Sequence, residues 1–320
     1  MSASDVTSDT ANVGEAPDGC LAFVMNVRRF ADFTSAELAP GHILRPATDA
    51  ETDEIRTAIQ RLSGSGHEYA WEMRWSDDRE QTEALPRESW RYFVIGFRGN
   101  NATMNTLADA CDLSTSEPEV GPVIMRGFIP GAVVNFHPAR LFHSMEPTLY
   151  DPDFFIELCT LDVAEITEIH RRLVAHDDSL IDLKHVTLQL GQLKALPRSS
   201  LLRFLGYFGI LESLLTHPPR QSDPYDSITR QVRKKLVLLN GRFSRPPDYA
   251  VFGGTPVETI WTRMYAYRSQ IAHGGPARIE GDLEVLGNHK KALALLRATT
   301  KAVARQALFE PQLVRDLREC

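Results

Sequence analysis

An arginine and a histidine stand five positions apart near the end of the segment YAYRSQIAHGG, residues 265–275. A planar guanidinium binds phosphate oxygens, and an imidazole exchanges protons near neutral pH. Arg268 and His273 therefore offer the charge stabilisation and proton transfer that cleavage of a phosphodiester needs. RNA supplies its own nucleophile, the 2′-hydroxyl, so this chemistry requires neither a nucleophilic side chain nor a metal ion. The spacing alone also fits an ordinary helix end.

The segment that carries these residues is predicted to be a helix with defined ends. Thr255 as N-cap, Pro256 at the first helical position and Glu258 at the third form a capping box. Apolar residues then repeat at intervals of three and four, at Ile260, Met264, Tyr267 and Ile271. Gly274 suits the left-handed residue that ends a helix. His273 is therefore expected in the last turn.

Two residues five positions apart on a helix differ by about 140° in azimuth and roughly 7.5 Å along the axis. Arg268 and His273 are thus not expected to share one face. The length of the arginine and a rewound last turn would close part of the gap. Alternatively, a second copy of the helix, packed across a two-fold axis, would place both pairs around one cleft.

The composition is that of an ordinary globular chain, with 43% hydrophobic and 24% charged residues in 320. No segment approaches the ~18–20 apolar residues that span a membrane. Residues 1–19 are polar and acidic, which predicts a disordered tail without a signal core. The four cysteines lack metal-like spacing, so we expect reduced thiols, no cofactor and a cytoplasmic location.

The two halves of the chain differ in charge. Residues 1–196 hold 16 Lys and Arg against 31 Asp and Glu, a net charge of −15. Residues 197–320 hold 19 against 11, a net charge of +8. Such asymmetry is a hint of a polyanionic partner for the basic half, although basic surface helices that confer solubility explain it equally well.

Hydrophobic periodicity predicts an α+β protein, with a β-rich N-terminal domain over residues 20–160 and a helical bundle over 161–320. Short strand-like segments occupy residues 20–27, 68–75, 90–99, 121–129 and 131–142. The pattern over residues 49–64 predicts a helix, and the pattern over residues 101–114 fits either a helix or a loop. Asp162 is a plausible N-cap for the next helix, and 181–196 is a helix or an extended connection. Strong helical patterns then cover 198–217, 223–240, 255–274 and 282–309.

The form Tyr-x-x-Arg-Ser-x-Ile-Ala-His-Gly resembles the Arg-x4-His signature of HEPN domains, most closely the ApeA-like HEPN group of bacterial antiphage proteins. It is met by Tyr265, Arg268, Ser269, Ile271, Ala272, His273 and Gly274. The upstream segment RFLGYFGILESLL, residues 203–215, and the intervening SITRQVRKKLVLL, residues 227–239, are also similar to that group. The resemblance covers roughly residues 198–309.

This resemblance implies a bundle of four or five helices that forms a homodimer with a metal-independent endoribonuclease site. His273 would then be a general acid or base, and Arg268 would stabilise charge on the phosphate. Glu212 would orient Arg268 or share in proton transfer. Ser269 and Gln270 are weaker candidates for contacts to RNA.

A short basic run at Arg233, Lys234 and Lys235 is either a solvated helix face or part of an RNA-binding surface. The resemblance further implies RNA, including tRNA, as partner, a role in antiphage defence or as a toxin, and a phage-derived trigger or inhibitory partner. No membrane is implied.

Other interpretations remain open. A non-catalytic HEPN module that binds nucleotides or RNA, or serves as a scaffold, is the main alternative. An enzyme housed in the N-terminal half ranks last, because no nucleophile–base pattern supports it. His137 and His143 flank a turn, but no carboxylate or cysteine pattern makes them metal ligands. His170 and His176 are six apart, which predicts solvated residues on different helix faces.

Overall fold

The computed structural model describes residues 19–63, 69–78, 80–99, 101–126, 132–134, 155–219 and 227–320. They form an α+β architecture, β-rich at first and mostly helical afterwards, as the sequence predicts. The chain divides into two compact units. The first holds the described residues of 1–105, 119–136 and 147–163, and the second those of 106–118 and 164–320. Residues 1–18 of the predicted tail lie outside the described residues. His137 and His143 lie outside them as well.

The first unit is built on an antiparallel sheet. Its strands are β1 (Cys20–Val24), β2 (Val27–Phe30), β3 (Ala36–Ala39), β4 (His42–Pro46), β5 (Met73–Trp75), β6 (Thr82–Ala84), β7 (Phe93–Phe97), β8 (Val120–Met125), β9 (Ala132–Val134) and β10 (Ile156–Leu158). Six of them pair in the order β3–β4–β7–β1–β8–β9. Strand β2 pairs in parallel with β10, and β5 pairs with β6.

The core of this unit lies between the sheet and helix α1 (Asp49–Ser63), which matches the predicted helix. Phe23 packs edge-on against Trp71 at 5.0 Å between ring centroids and stacks on Tyr92 at 5.3 Å. The strand predicted over 68–75 is only partly correct, because Ala70–Glu72 forms a 3₁₀ turn before β5. Glu72 is buried there and accepts a hydrogen bond of 2.6 Å from the Tyr92 hydroxyl.

The remaining helices are α2 (Asn101–Leu113), α3 (Thr160–Ala175), α4 (Leu183–Leu193), α5 (Leu201–Leu215), α6 (Ile228–Asn240), α7 (Val257–Ala272), α8 (His289–Phe309) and α9 (Pro311–Glu319). The parts of α2 and α3 from Thr106 and Ala164 onwards belong to the second unit. Helix α5 is central, since it contacts α4, α6, α7, α8 and α9. Its sequence is apolar on almost every face, as burial among several helices requires.

Several helix boundaries differ from the prediction. The single helix expected over 282–309 is wrong, because Gly287 has φ 70° and separates a 3₁₀ helix (Gly281–Leu286) from α8. Asn288 then caps α8 by accepting from the Lys291 N–H. Asp162 is not the N-cap of α3, which begins at Thr160. Its carboxylate instead accepts from the Cys159 N–H at 3.0 Å.

Charged side chains are buried within the second unit. The Lys301 ammonium lies 2.7 Å from the Glu117 carboxylate, and Arg297 lies 3.6 Å from it. Burial lowers the pKa of Lys301 to about 8. Burial by itself would raise the pKa of Glu117, but Arg297 and Lys301 hold that pKa below its usual value. Glu117 therefore compensates the buried Lys301 ammonium and also contacts the exposed Arg297.

A histidine at the start of α8 gives this unit a pH-dependent stability. The His289 ring nitrogen Nδ1 lies 3.0 Å from the Tyr267 hydroxyl, and burial lowers the pKa of His289. In the unfolded chain this histidine takes up a proton near its ordinary pKa of about 6.5, before the folded protein does. Its contribution to stability is therefore present above that pH and is lost as the pH falls toward the lower folded pKa.

We expect the urea midpoint of the wild type to fall between pH 7 and 5.5 by more than that of His289→Gln. The matched control is His185→Gln, at an exposed histidine on α4, which should keep the wild-type pH profile. Equal profiles for wild type and His289→Gln would contradict the prediction.

Candidate functional site

Helix α7 carries the arginine and the histidine, and it begins differently from the prediction. Pro256 is the N-cap and offers no side-chain hydrogen bond. The Thr255 hydroxyl donates instead to the Phe252 carbonyl at 3.0 Å. The predicted capping box between Thr255 and Glu258 is therefore wrong, because the preceding turn already uses the threonine. The buried stripe of the helix is Ile260, Trp261, Met264, Tyr265 and Tyr267.

The end of α7 explains the two glycines that follow His273. Gly274 has φ 70° and donates to the Ile271 carbonyl, and Gly275 donates to the Gln270 carbonyl at 2.9 Å. This is the Schellman arrangement that satisfies the last carbonyls of a helix. A Cβ atom on Gly275 would lie only 3.0 Å from the Gln270 oxygen. The left-handed backbone thus favours glycine at 274, a side chain at 275 would crowd the Gln270 carbonyl, and His273 is the C-cap.

Arg268 meets Glu212 from the central helix α5. The Arg268 Nη2 atom lies 3.5 Å from the Glu212 Oε2 atom, with side chains 38% and 17% exposed. Direct charge-assisted hydrogen bonds of this kind measure ~2.7–2.9 Å, so the ion pair is loose. The Arg268 Nε atom is buried and has no hydrogen-bond partner in the described part of the chain. The guanidinium contacts Glu212 on one side, and the 38% exposure of the Arg268 side chain leaves part of it accessible to a further anion.

Aromatic packing sets the register between α5 and α7. The Phe208 ring lies 4.9 Å from the Tyr265 ring and 6.3 Å from the Trp261 ring. Glu212 follows Phe208 by one turn, and Arg268 follows Tyr265 by three positions, so the charged pair extends the aromatic contact. Removing the aromatic rings would displace both charged groups.

Tyr265 is a residue of this site that the sequence identified only as part of a motif. Burial, and then the neighbouring Glu212 carboxylate, raise the pKa of Tyr265, so its hydroxyl stays protonated. A buried phenol beside a carboxylate helps to keep the carboxylate in place. The sequence indicated a place for Tyr265 beside Arg268 only through their spacing, because residues three positions apart lie on the same face of a helix.

His273 forms no hydrogen bond or ion pair with the Arg268–Glu212 pair. Its side chain is exposed, and no described residue forms a hydrogen bond or an ion pair with the imidazole. Ser269 and Gln270 are also exposed, one turn before it. These three residues and Ala266 form an exposed polar face of α7. The structure therefore joins Arg268 to Glu212 within one chain and leaves His273, Ser269 and Gln270 facing solvent.

The basic run on α6 is not one solvated face. Arg233 is half-buried and donates to the Thr262 hydroxyl of α7 at 3.2 Å, and Lys234 is exposed. Lys235 is buried and donates to the Leu215 carbonyl at 2.9 Å. Of the three, Lys234 has the exposure that contact with a polyanion requires, whereas Arg233 also ties α6 to α7.

The predicted exposure of two histidines is also wrong. His170 is 6% exposed, and the His176 ring lies within hydrogen-bonding distance of the Ile181 carbonyl, at 2.9 Å.

Within the described ranges, no group of three or more His, Cys, Asp or Glu residues is arranged to hold a metal ion. In those ranges, too, every helix is too short or too polar to cross a membrane.

We compared the chain with known protein families, curated proteins and solved structures. No protein-family model, curated protein or solved structure matches the chain.

Proposed function

We propose that this protein is a metal-independent RNA endonuclease of the HEPN type, in which Arg268, His273 and Glu212 form the active site. The observation that carries the proposal is the half-buried ion pair between Glu212 on α5 and Arg268 on α7, because α7 also carries an exposed histidine at its backbone-fixed C-cap. The contact between Arg268 and Glu212 is long, so the guanidinium can also bind a phosphate whose negative charge increases during the reaction. Glu212 orients the N–H donors of Arg268 before the phosphate binds, which favours such binding.

The reaction is attack of the RNA 2′-hydroxyl on the adjacent phosphorus. The O2′–P bond forms and the P–O5′ bond breaks, which leaves a 2′,3′-cyclic phosphate and a 5′-hydroxyl. A base takes the proton of the 2′-hydroxyl, and an acid returns one to the departing O5′ atom. We assign this acid–base role to His273 and the stabilisation of the phosphate to Arg268. Glu212 orients the guanidinium, and Ser269 and Gln270 contact the RNA backbone.

The site is proposed to form between two copies of the chain. In one chain Arg268 pairs with Glu212, while the exposed imidazole of His273 forms no hydrogen bond or ion pair with either residue. The exposed face made by Ala266, Ser269, Gln270 and His273 carries small and polar side chains, which permit close approach of a second α7. A homodimer with two-fold symmetry would then place two arginines and two histidines around one groove.

The setting of this activity follows from the resemblance and the charge pattern. The substrate is RNA, including tRNA, bound by the half of the chain with net charge +8, in which Lys234 is an exposed cation of the basic run on α6. The proposed role is antiphage defence or toxicity in the cytoplasm, restrained by the acidic N-terminal unit until a phage-derived trigger acts. Purified protein should cleave total bacterial RNA in the presence of EDTA, and intact RNA in that assay would contradict the proposal.

Arg268→Lys tests the arginine separately. Lysine keeps the charge but lacks the planar fork, so we expect the cleavage rate to fall about 10²-fold while RNA binding weakens less than tenfold. The measurement is a single-turnover rate together with filter binding. Arg171→Lys, at an exposed arginine on α3, should retain the wild-type rate. Equal rates for Arg268→Lys and Arg171→Lys would remove Arg268 from the site.

A non-catalytic RNA-binding module is the second candidate. It is favoured by the lack of any hydrogen bond or ion pair that joins His273 to Arg268 or Glu212 within one chain. Filter binding to tRNA with no cleavage product, under conditions where the protein is a dimer, would favour this alternative.

A further inference from the structure

Two arginines of the first unit lie close together without a carboxylate partner. Phe30 of β2 contacts Phe93 of β7 at 4.7 Å between ring centroids. Arg28 and Arg91 each stand two positions before a phenylalanine of this contact, and alternate residues along a strand lie on one face. Burial, and then the positive charge of Arg28, lower the pKa of Arg91 to about 10, as expected for neighbouring cations. Among the described residues, neither arginine forms an ion pair.

The Arg91 guanidinium is half-buried and contacts only uncharged groups in the described part of the chain. Its Nη2 atom donates to the Ala70 carbonyl at 3.1 Å, and the group lies 4.1 Å from the centroid of the Phe155 ring. Its Nε atom is buried and has no hydrogen-bond partner there. A desolvated cation without an anion is unfavourable, and the nearby charge of Arg28 adds repulsion. An anion bound between the two arginines would relieve both effects.

Carboxylates of the neighbouring segments bind other groups. Glu157, on the strand that pairs with β2, forms an ion pair with Arg29 at 2.9 Å. Glu72, close in sequence to the carbonyl that Arg91 contacts, accepts a hydrogen bond of 2.6 Å from Arg56. The carboxylate of Asp32, two positions after the phenylalanine of β2, accepts from a backbone N–H at the start of α3 at 2.8 Å. These carboxylates therefore do not compensate the two arginines.

Other arginines of the same unit do have carboxylate partners. Within the described ranges, ion pairs with N–O distances of 2.6–3.1 Å are formed by Arg29, Arg45, Arg56, Arg74, Arg87 and Arg126. Residues 1–196 hold 31 Asp and Glu against 16 Lys and Arg, so carboxylates are abundant in this half of the chain. Two neighbouring arginines without one are therefore exceptional here.

We infer that Arg28 and Arg91 together bind the phosphate group of a small phosphorylated ligand. A phosphate monoester carries about −1.5 to −2 charges near neutral pH, which matches two cations, and its oxygens accept from the forked donors of guanidinium groups. A polyanion such as RNA suits this surface less well, because residues 1–196 carry a net charge of −15. The site belongs to the first unit, whereas the residues of the proposed ribonuclease centre belong to the second, so the inference does not depend on that activity.

Isothermal titration calorimetry at fixed ionic strength tests this inference with three probes, namely ribose 5-phosphate, inorganic phosphate and ribose. We expect saturable binding of ribose 5-phosphate and none of ribose. Equal affinity for inorganic phosphate would identify free phosphate as the ligand, and weaker binding of it would identify the ester. Arg28→Gln and Arg91→Gln should each weaken binding about tenfold or more. The matched control is Arg98→Gln, at an exposed arginine just after β7, which should bind as the wild type does.

Arg28→Glu separates loss of the site from loss of stability. Arg28 is exposed, and a carboxylate at this position would pair with Arg91 and repel phosphate. We expect no measurable binding, together with a urea midpoint at or above that of the wild type. Absence of saturable binding to both phosphate probes, ribose that binds as tightly as ribose 5-phosphate, or wild-type affinity in Arg28→Glu would overturn the inference. Equal weakening in Arg28→Gln and Arg98→Gln would overturn it as well.

Discussion

Replacement of His273 by alanine is expected to lower the rate of RNA cleavage by about 10²–10⁴-fold, the usual contribution of a positioned general acid or base. The imidazole is exposed and bonded to no other described side chain, so its loss should change the free energy of unfolding by no more than ~0.5 kcal/mol. The measurement is a single-turnover rate on RNA in EDTA, paired with urea denaturation of the same variant.

The matched control for this variant is His185→Ala, which removes another exposed histidine of the second unit. It should cleave RNA at the wild-type rate. If His273→Ala and His185→Ala cleave equally well, His273 has no part in proton transfer. If His273→Ala is inactive and also unfolds early, the loss would reflect stability instead of chemistry.

Glu117→Ala is expected to give the largest loss of stability, about 3–5 kcal/mol, because it removes the carboxylate that lies 2.7 Å from the buried Lys301 ammonium. The Lys301 side chain is 4% exposed and lies 2.7 Å from Glu117, and Arg297 shares the same carboxylate. The measurement is urea denaturation at pH 7. Because the uncompensated charge causes the loss, Lys301→Met added to Glu117→Ala should recover part of it.

Glu280→Ala is the control for this prediction. Glu280 forms an exposed ion pair with Arg278 at 3.9 Å, and such pairs contribute ~0–1 kcal/mol. A loss of stability in Glu117→Ala no greater than in Glu280→Ala would show that the buried pair has little energetic importance.

Helices and strands whose position depends on a local sequence pattern were predicted well. The end of α7 at Gly274 is one example, because a left-handed residue after a helix has few alternatives to glycine. The β-rich half and the long helices α5 and α7 followed from apolar periodicity in the same way. Glu212 was predicted to pair with Arg268 only through resemblance, and the structure brings these residues to 3.5 Å.

Features that depend on competing local contacts or on tertiary packing were predicted poorly. Thr255 was expected to cap α7, but its hydroxyl donates to the Phe252 carbonyl in the preceding turn. The sequence alone does not indicate which of these two hydrogen bonds the threonine forms. The pattern over 282–309 is helical on both sides of Gly287, so periodicity alone missed the break. His170 is buried because tertiary packing covers it, and Tyr265 gained its place beside Glu212 from the packing of two helices that are distant in sequence.

The position of His273 relative to a second chain is the part of the site that one sequence does not determine. An offset of five residues separates it from Arg268 along the helix, and within one chain the exposed imidazole makes no hydrogen bond or ion pair with Arg268 or Glu212. The proposed function therefore requires that dimerisation complete the site, and the chemistry of the products reports on whether the proposed cleavage takes place.

The most direct measurement is the identity of the ends produced from a defined RNA oligonucleotide in EDTA, determined by mass spectrometry. A second oligonucleotide with a 2′-deoxy sugar at the cleaved position is the matched substrate. We predict a 2′,3′-cyclic phosphate and a 5′-hydroxyl from the RNA, and no cleavage at the deoxy position. Uncleaved RNA, 5′-phosphate ends, or cleavage that persists at the deoxy sugar would contradict the account.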